Sequence, residues 1–260
     1  MRPPPITRLR AGPCVLHTSL APLGRVGSPC LMSVTVTWLG HSSFAIVAGG
    51  RQLLVDPFLD GNEQAPLKAA DVAADFILVT HGHFDHIADA APIARRTGAT
   101  VLANYEVTEW LKGQGVAADK LVGMNPGGGV DMPFGRAKFT LAHHSSSLPD
   151  GSYGGVAGGF LLELDGARLY VAGDTALFLD MKLIGLGGLD LAILPIGDRF
   201  TMGPADSIEA VKLLAPKRVV PCHYNTWPPI AQDAAAWAEA VRRDTAAEAA
   251  VLALGGSLHL

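Results

Sequence analysis

The chain has 260 residues, enough for one large domain or two small ones, and 49% of them are hydrophobic, which argues against disorder over most of its length. The net charge of −4 disfavours a basic nucleic-acid-binding face, and no apolar run approaches the ~20 residues that cross a bilayer. The three cysteines, Cys14, Cys30 and Cys222, have neither disulfide nor zinc-finger spacing, which is typical of a reducing, cytoplasmic compartment.

Residues 1–31 differ in composition from the rest of the chain. They include four arginines and several prolines but no acidic residue, and they lack the continuous apolar segment of a secretory signal. We predict that residues 1–31 are a disordered leader or the product of an over-long start, and that residues 32–260 form the folded domain. Without the four arginines the net charge would fall from −4 to about −8.

The first half of the domain begins with strand patterns and then alternates strands with helices. Alternating or continuous apolar runs predict strands at 34–39, 43–48, 51–56, 75–80 and 100–104, and helical periodicity predicts helices at 87–98 and 105–115. The run at 75–80 is continuously apolar, which is typical of a strand buried on both faces.

The second half has the same organisation. Strands are predicted at 137–144, 157–164, 167–174, 189–197 and 217–225, helices at 204–215 and 232–244, and a closing hairpin with a Gly-Gly turn at 250–260. Early strands followed by alternating strands and helices in both halves indicate an α/β fold in which two mixed sheets pack together with helices outside.

The sequence "VTHGHFDHIAD" places three histidines and an aspartate directly after the predicted strand 75–80. These residues are His81, His83, Asp85 and His86. Polar side chains at strand ends commonly build sites. Imidazole and carboxylate together suit Zn²⁺, Mn²⁺ or Fe²⁺, so the spacing indicates two metal ions sharing one short loop rather than a histidine-rich surface turn.

This motif, followed in order by "LAHHSSS", "YVAGDTALF" and "VVPCHYNTWP", resembles the metallo-β-lactamase superfamily from Val34 to Leu260. The resemblance implies a four-layer αββα sandwich. It also implies two metal sites, the first held by His81, His83 and His144, the second by Asp85, His86 and His223, with Asp174 bridging both. His143 and His144 are neighbours on a predicted strand and point to opposite faces, so only one should ligate; the serines after His144 match the family better.

The chemistry implied by the resemblance is hydrolysis by a metal-bridging hydroxide. Two divalent cations, Zn or Mn with Fe as a further option, lower the pKa of a shared water toward ~7 and polarise the bond under attack. In this scheme Asp85 is also catalytic, because it can accept a proton from the water.

Other segments, including "TWLGHSSFAI" and "LPIGDRFTMG", resemble the branch beside L-ascorbate-6-phosphate lactonase. That resemblance implies a small cytoplasmic hydrolase acting on a small anionic ester, lactone or phosphoester. We expect His41 to be a catalytic or substrate-binding residue, Arg199 to meet a phosphate or carboxylate, and Asn225 to contact the substrate. Asp56 is expected to orient a ligand histidine.

Three other functions remain open at this point. A phosphodiesterase or nuclease of the same fold would need basic or clamp regions, and none is evident. A diiron oxidoreductase would resemble H-x-E-x-D-H, whereas His83 occupies the second position here. A metal-free binding scaffold would leave a costly cluster of buried polar groups idle. The expected partner is a small-molecule substrate, with no nucleic acid and no membrane, and a homo-oligomer is left open.

Overall fold

A computed structural model describes residues 34–260, and the leader predicted for residues 1–31 lies outside the described residues. The strands are β1 (Thr35–Trp38), β2 (Phe44–Ala48), β3 (Arg51–Val55), β4 (Phe76–Leu78), β5 (Thr100–Asn104), β6 (Leu121–Met124), β7 (Gly129–Met132), β8 (Gly135–Leu141), β9 (Gly158–Leu164), β10 (Ala167–Val171), β11 (Leu191–Pro195), β12 (Arg218–Cys222), β13 (Glu248–Ala249) and β14 (Ser257–His259). The α-helices are α1 (Phe84–Ile87), α2 (Ala90–Thr97), α3 (Tyr105–Gly113), α4 (Met181–Ile184), α5 (Pro204–Leu214) and α6 (Ala234–Asp244).

The strands form two mixed sheets of seven strands each. The first sheet has the order β14-β1-β2-β3-β4-β5-β6, and the second has the order β13-β12-β11-β10-β9-β8-β7. In each sheet one half is antiparallel and the other half is parallel, with parallel pairing from β3 to β6 and from β10 to β13. The predicted α/β architecture of two mixed sheets is therefore confirmed.

Alternate residues of the first sheet pack into different hydrophobic clusters. Leu53 and Val55 of β3 are buried in the cluster that includes the strands of the second sheet. Leu54, between them, is buried with Ile93 of α2 and Leu111 of α3. The period of two expected for a strand thus places one face of the sheet against the second sheet and the other against helices.

The second sheet is buried more completely at its centre. All five residues of β11 are buried, which is typical of a parallel strand covered on both faces. Leu214 of α5 and Trp237 of α6 belong to the same cluster as this strand, so these helices supply part of its cover. No helix within residues 34–260 is long and apolar enough to cross a membrane.

The predicted closing hairpin at 250–260 is wrong. Residues 250–254 form no strand, and β14 pairs antiparallel with β1, where His259 lies opposite Thr35. Gly255 has a positive φ of 74° and turns the chain so that β14 reaches the edge of the first sheet. The pairing partner of β14 is β1, more than two hundred residues away in the sequence. The local Gly-Gly turn signal therefore favoured pairing with the preceding segment, which was wrong.

Candidate metal centre

The candidate site lies where several strands end at a common edge. β1, β3 and β4 point in one direction, because β2 is antiparallel to β1 and β3, and β4 is parallel to β3. β8, β10 and β12 likewise share a direction in the second sheet. The segments that follow these six strands carry His41, Asp56, His81 to His86, His144, Asp174 and His223, in that order.

His81, His83 and His144 form a first group of nitrogen ligands. His81 Nε2 lies 3.0 Å from His83 Nδ1, and His144 Nε2 lies 3.3 Å from the same atom. The turn between the first two depends on Gly82, because a Cβ there would lie 3.0 Å from Leu148 Cδ2 and 3.2 Å from the carbonyl oxygen of residue 147. These three side chains could hold one metal ion.

Asp85, His86 and His223 form a second group, with His41 beside them. Helix α1 presents the first two, and Asp85 Oδ2 lies 3.9 Å from His86 Nε2 and 3.8 Å from His223 Nε2. His41 Nε2 lies 3.1 Å from the same carboxylate oxygen. This group could hold a second ion.

Asp174 lies between the two groups and contacts both. Its Oδ2 is 3.0 Å from His223 Nε2 and 3.6 Å from His144 Nε2, while its Oδ1 is 3.4 Å from His86 Nε2. The carboxylate is buried and, because it follows β10 in the second sheet, it meets histidines contributed by both sheets. Its carboxylate therefore lies within reach of both candidate ligand groups.

Asp56 orients two of these histidines from behind. Its Oδ2 accepts hydrogen bonds from His86 Nδ1 at 2.8 Å and from Thr80 Oγ1 at 2.6 Å. The Thr80 oxygen in turn lies 3.0 Å from His81 Nδ1, which can donate to it. Both histidines therefore use Nδ1 for this network and keep Nε2 free toward the centre, the arrangement that carboxylate–histidine pairs produce at metal sites.

The electrostatics of the first group favour neutral imidazoles. Burial lowers the pKa of His81 well below its ordinary value, and burial also lowers the pKa values of His83 and His144. Neutral imidazole is the form that ligates metals. Three nitrogens this close cannot all be paired by one shared proton, whereas a single cation would satisfy all three.

The electrostatics around His86 and Asp174 favour their charged forms. Burial alone would lower the pKa of His86, but the surrounding carboxylates, Asp174 foremost, raise it well above its ordinary value. Burial alone would raise the pKa of Asp174, yet His223 and His86 hold it well below its usual range. His86 Nε2 and Asp174 Oδ1 are nevertheless buried without a hydrogen-bond partner among residues 34–260. These donors therefore fit divalent metal ions, which would replace the proton on His86.

A cavity of about 470 Å³ opens over both groups. It is lined by His83, Phe84, Asp85, His144, Ser145, Asp174, Phe200, His223, Trp227 and Pro229. This volume lies within the range of small-molecule sites, about 300–1,000 Å³. The polar lining comes mainly from the candidate metal ligands, and the remaining walls are mostly apolar.

Three residues expected to contact the substrate do not line this cavity. Arg199 is exposed and its guanidinium lies over the ring of Phe200, the neighbour that does line the cavity. Asn225 accepts a hydrogen bond from the backbone of Gln232, so its amide oxygen holds a turn. His41 is fully buried behind Asp85. Their positions favour indirect roles rather than direct substrate contact.

Phe84, Phe200 and Pro229 line the cavity but were not predicted from the sequence. Phe84 offered a signal, since it is an apolar residue placed between His83 and Asp85. Phe200 offered none, because nothing local shows that the loop after β11 returns to the centre. His143, the neighbour of His144, stacks on Phe178 at 4.9 Å between ring centroids.

Gly173 controls the position of Asp174. Its φ is +63°, and a Cβ would lie 2.6 Å from the carbonyl oxygen of Gly158 and 2.9 Å from Thr80 Cβ. We expect Gly173→Ala to lower the free energy of unfolding by about 3 kcal/mol, from left-handed backbone strain and overpacking together. Chemical denaturation measures this loss.

Gly166→Ala is the matched control for Gly173→Ala. Gly166 has a similar φ of +84°, but no atom lies within 4 Å of the added Cβ. Only the backbone strain should remain, about 1–2 kcal/mol. Equal losses for the two variants would contradict the close approach around Gly173.

The fold and this buried cluster define the class of protein: a metal-dependent hydrolase with the fold of the metallo-β-lactamases. The family model described as "Beta-lactamase superfamily domain" matches residues 51–224. A UPF0173 metal-dependent hydrolase of Thermus thermophilus is 50% identical over 209 residues, which cover 80% of this chain and 92% of the relative. The chain belongs to the β-lactamase superfamily and, within it, to the UPF0173 metal-dependent hydrolases.

Two further relatives agree with this placement. A UPF0173 metal-dependent hydrolase of Heliobacterium modesticaldum is 46% identical over 233 residues, covering 86% of this chain and 97% of the relative. The structure of Igni18, a metallo hydrolase from Ignicoccus hospitalis, matches with a TM-score of 0.79 and 34% identity, covering 88% of this chain and 98% of that one. The superfamily expected from the sequence is confirmed, and the narrower lactonase branch stays a prediction.

Proposed function

We propose that this chain is a binuclear metal-dependent hydrolase that cleaves a small ester, lactone or phosphoester with hydroxide. The observation that carries the proposal is the position of Asp174, whose carboxylate lies within 3.6 Å of His86, His144 and His223. A carboxylate between two histidine groups is well placed to offset the charge of two cations. The lactone class rests on the resemblance of the sequence to the lactonase branch.

The proposed ligand sets follow the two groups. His81, His83 and His144 would hold the first ion, Asp85, His86 and His223 would hold the second, and Asp174 would contact both. Imidazole and carboxylate ligands suit Zn²⁺ or Mn²⁺, with Fe²⁺ as a further option. When bound, such ions lower the pKa of water toward ~7 and polarise the oxygen of the substrate.

Asp85 is the residue best placed to take up a proton during the reaction. It lines the cavity, and its Oδ2 is held by His41. Burial lowers the pKa of His41 to about 4, so this histidine is neutral and can donate from Nε2, while its Nδ1 lies 2.8 Å from Thr226 Oγ1. We propose that His41 acts as a positioning residue for the Asp85 carboxylate.

A phosphodiesterase or nuclease of this fold finds less support. Of the described residues that line the cavity, none is a lysine or arginine. Affinity for nucleic acid rests mainly on basic contacts to phosphates.

The cytoplasmic location indicated by the cysteine pattern remains part of the proposal.

Metal analysis of protein purified without added metal tests the proposed function. We expect close to two equivalents of Zn, Mn or Fe per chain, together with hydrolysis of at least one substrate from a panel of esters, lactones and phosphoesters. A chain without bound metal that also fails to bind added Zn²⁺ or Mn²⁺ would refute the proposal and favour a binding scaffold.

Asp56→Asn is expected to weaken metal binding about 10–100-fold, because residues that orient a metal ligand typically contribute this much. The asparagine keeps the shape of the side chain but places an amide donor against donors from Thr80 and His86. Competition with a chromophoric chelator measures the affinity of the purified variant for Zn²⁺.

Asp75→Asn provides the matched control for this measurement. Asp75 accepts a hydrogen bond from the backbone of Gln52 near the start of β3, at the end of the strand away from Asp56. Its replacement should leave the affinity for Zn²⁺ unchanged. If both variants bound Zn²⁺ like the parent protein, Asp56 would have no role in orienting the ligands.

A further inference from the structure

The walls of the cavity beside the candidate ligands are built from aromatic and proline side chains. Phe84 and Phe200 are 55% and 52% exposed, although each lines the cavity next to buried polar groups. Trp227 and Pro229 complete this wall. We call these four residues the aromatic wall. Exposed apolar groups gathered at one place usually mark a binding surface.

Two members of the aromatic wall, Phe84 and Trp227, are supported from behind, so their geometry is set by packing. Phe58 is buried, and its ring centroid lies 5.8 Å from Phe84 and 6.0 Å from Trp227. The rings of Phe84 and Trp227 are 6.1 Å apart and inclined at 41°. The distances fall in the range for favourable aromatic pairs. A flat apolar group could therefore enter beside these rings without reorganising them.

The charges around the cavity point to a substrate without a distant anionic group. The charged or titratable residues in its lining are the candidate metal ligands. An adjoining cavity near His144 is lined by Ser145, Ser146, Ser147, Tyr153, Gly155 and Val156, which add hydroxyl groups but no cation. Arg199, the cation expected to meet an anion, lies outside both linings. Arg199 lies over Phe200 outside the cavity lining, so an anionic substituent held within the lining would lose water without gaining a charged partner.

Resting on the proposed hydrolase function, we infer that the enzyme prefers neutral esters or lactones that carry an aromatic or bulky alkyl group. The reacting carbonyl lies at the histidine–aspartate cluster, and the apolar group packs on the aromatic wall. Hydrolysis adds water across the acyl bond, so the acyl carbon gains the hydroxyl oxygen, the alkoxide or phenoxide leaves with a proton, and no redox partner is needed. This inference replaces the small anionic substrate expected from the sequence.

The test compares phenyl acetate with its 4-sulfophenyl analogue on the metal-loaded enzyme. The two esters differ in a charge remote from the acyl carbon, and each rate is divided by the rate of alkaline hydrolysis to remove differences in leaving-group reactivity. We expect kcat/KM to be about tenfold or more higher for the neutral ester, because the sulfonate would have to lose water at an apolar wall without gaining a charged partner. Equal or faster turnover of the sulfonated ester would overturn the inference.

Substitutions in the aromatic wall test whether it is the source of the preference for the neutral ester. Phe200→Ala and Phe84→Ala are expected to reduce the neutral-to-sulfonated ratio severalfold, and Phe200→Leu should restore part of it. Both phenylalanines are more than half exposed, so the fold should survive their loss. Leu186→Ala, at a leucine that is 62% exposed and outside the cavity lining, is the control and should keep the parent ratio. An unchanged ratio in the Phe84 and Phe200 variants would contradict the assigned role.

A binding measurement separates this inference from the proposed function. N-benzylacetamide and its ring-sulfonated analogue resist hydrolysis, and calorimetry with the metal-loaded protein gives their affinities. A metal-loaded protein that cleaves no ester, lactone or phosphoester of the panel but binds the neutral amide more tightly contradicts the proposed function and supports the apolar site. A protein that cleaves esters but binds the sulfonated amide as tightly retains the hydrolase function and overturns the apolar site.

Discussion

Replacing Asp174 with alanine is expected to lower kcat/KM by about 10³-fold or more. The carboxylate contacts histidines of both groups, so its loss should disturb both proposed metal positions. Metal ions contribute several kcal/mol of transition-state stabilisation, and each 1.36 kcal/mol corresponds to a factor of ten in rate. Steady-state kinetics with the best substrate of the panel, together with metal analysis, measure the effect.

Two further variants test whether the effect of Asp174→Ala comes from losing the charge at this particular position. Asp174→Asn keeps the shape of the side chain but removes its charge, and we expect a loss of activity close to that of the alanine variant. Asp190→Asn removes a carboxylate that directly precedes β11 and pairs with Lys217 at the surface, and it should leave turnover unchanged. Parent-like rates from Asp174→Ala with its fold intact would refute the assignment of the centre.

Removing metal with a chelator is expected to abolish turnover and to lower the melting temperature by on the order of 10 °C. Ions that bind only the folded chain stabilise it by about 4 kcal/mol when present at a thousandfold excess over Kd. For a chain of this size each kcal/mol shifts the melting temperature by about 2–4 °C. Differential scanning calorimetry before and after dialysis against chelator, with re-addition of Zn²⁺ or Mn²⁺, measures both the loss and the recovery.

The Asp174→Ala variant is also the control for chelation. If the stabilisation comes from ions at this centre, the melting temperature of the variant should respond less to chelator than that of the parent chain. An equal shift in both would place the stabilising metal elsewhere. No shift in the parent chain, with activity unaffected, would refute metal dependence.

The sequence predicted most of the strands, though not β6, β7 and β13, and it predicted how the candidate ligands converge. His81, Asp174 and His223 each follow a strongly apolar run, and parallel strands bring their carboxyl ends to one edge. Two local signals thus combine, a period of two in the strands and polar residues directly after them. The orientation of His86 by Asp56 was also anticipated, because an aspartate at the end of β3 belongs to the same edge.

The cavity walls could not be predicted in this way. Arg199 and Phe200 are neighbours in the loop after β11, and the sequence does not indicate which of them faces the centre. The backbone of Asp198, with a positive φ of 71°, turns the chain there. The partner of β14 was missed for a similar reason, since strand pairing across the whole domain depends on tertiary contacts that no local pattern records.

His41, Asp56 and His223 share a left-handed backbone conformation, with φ values of 50°, 42° and 54°. For residues with a Cβ this conformation costs about 1–2 kcal/mol each. Glycine at any of the three sites would relieve this strain, but it would also delete a buried side chain and leave a cavity, which typically costs more than the strain it relieves. Directed evolution for heat resistance is therefore expected to leave these three residues in place and to find its gains elsewhere in the chain, away from the proposed centre.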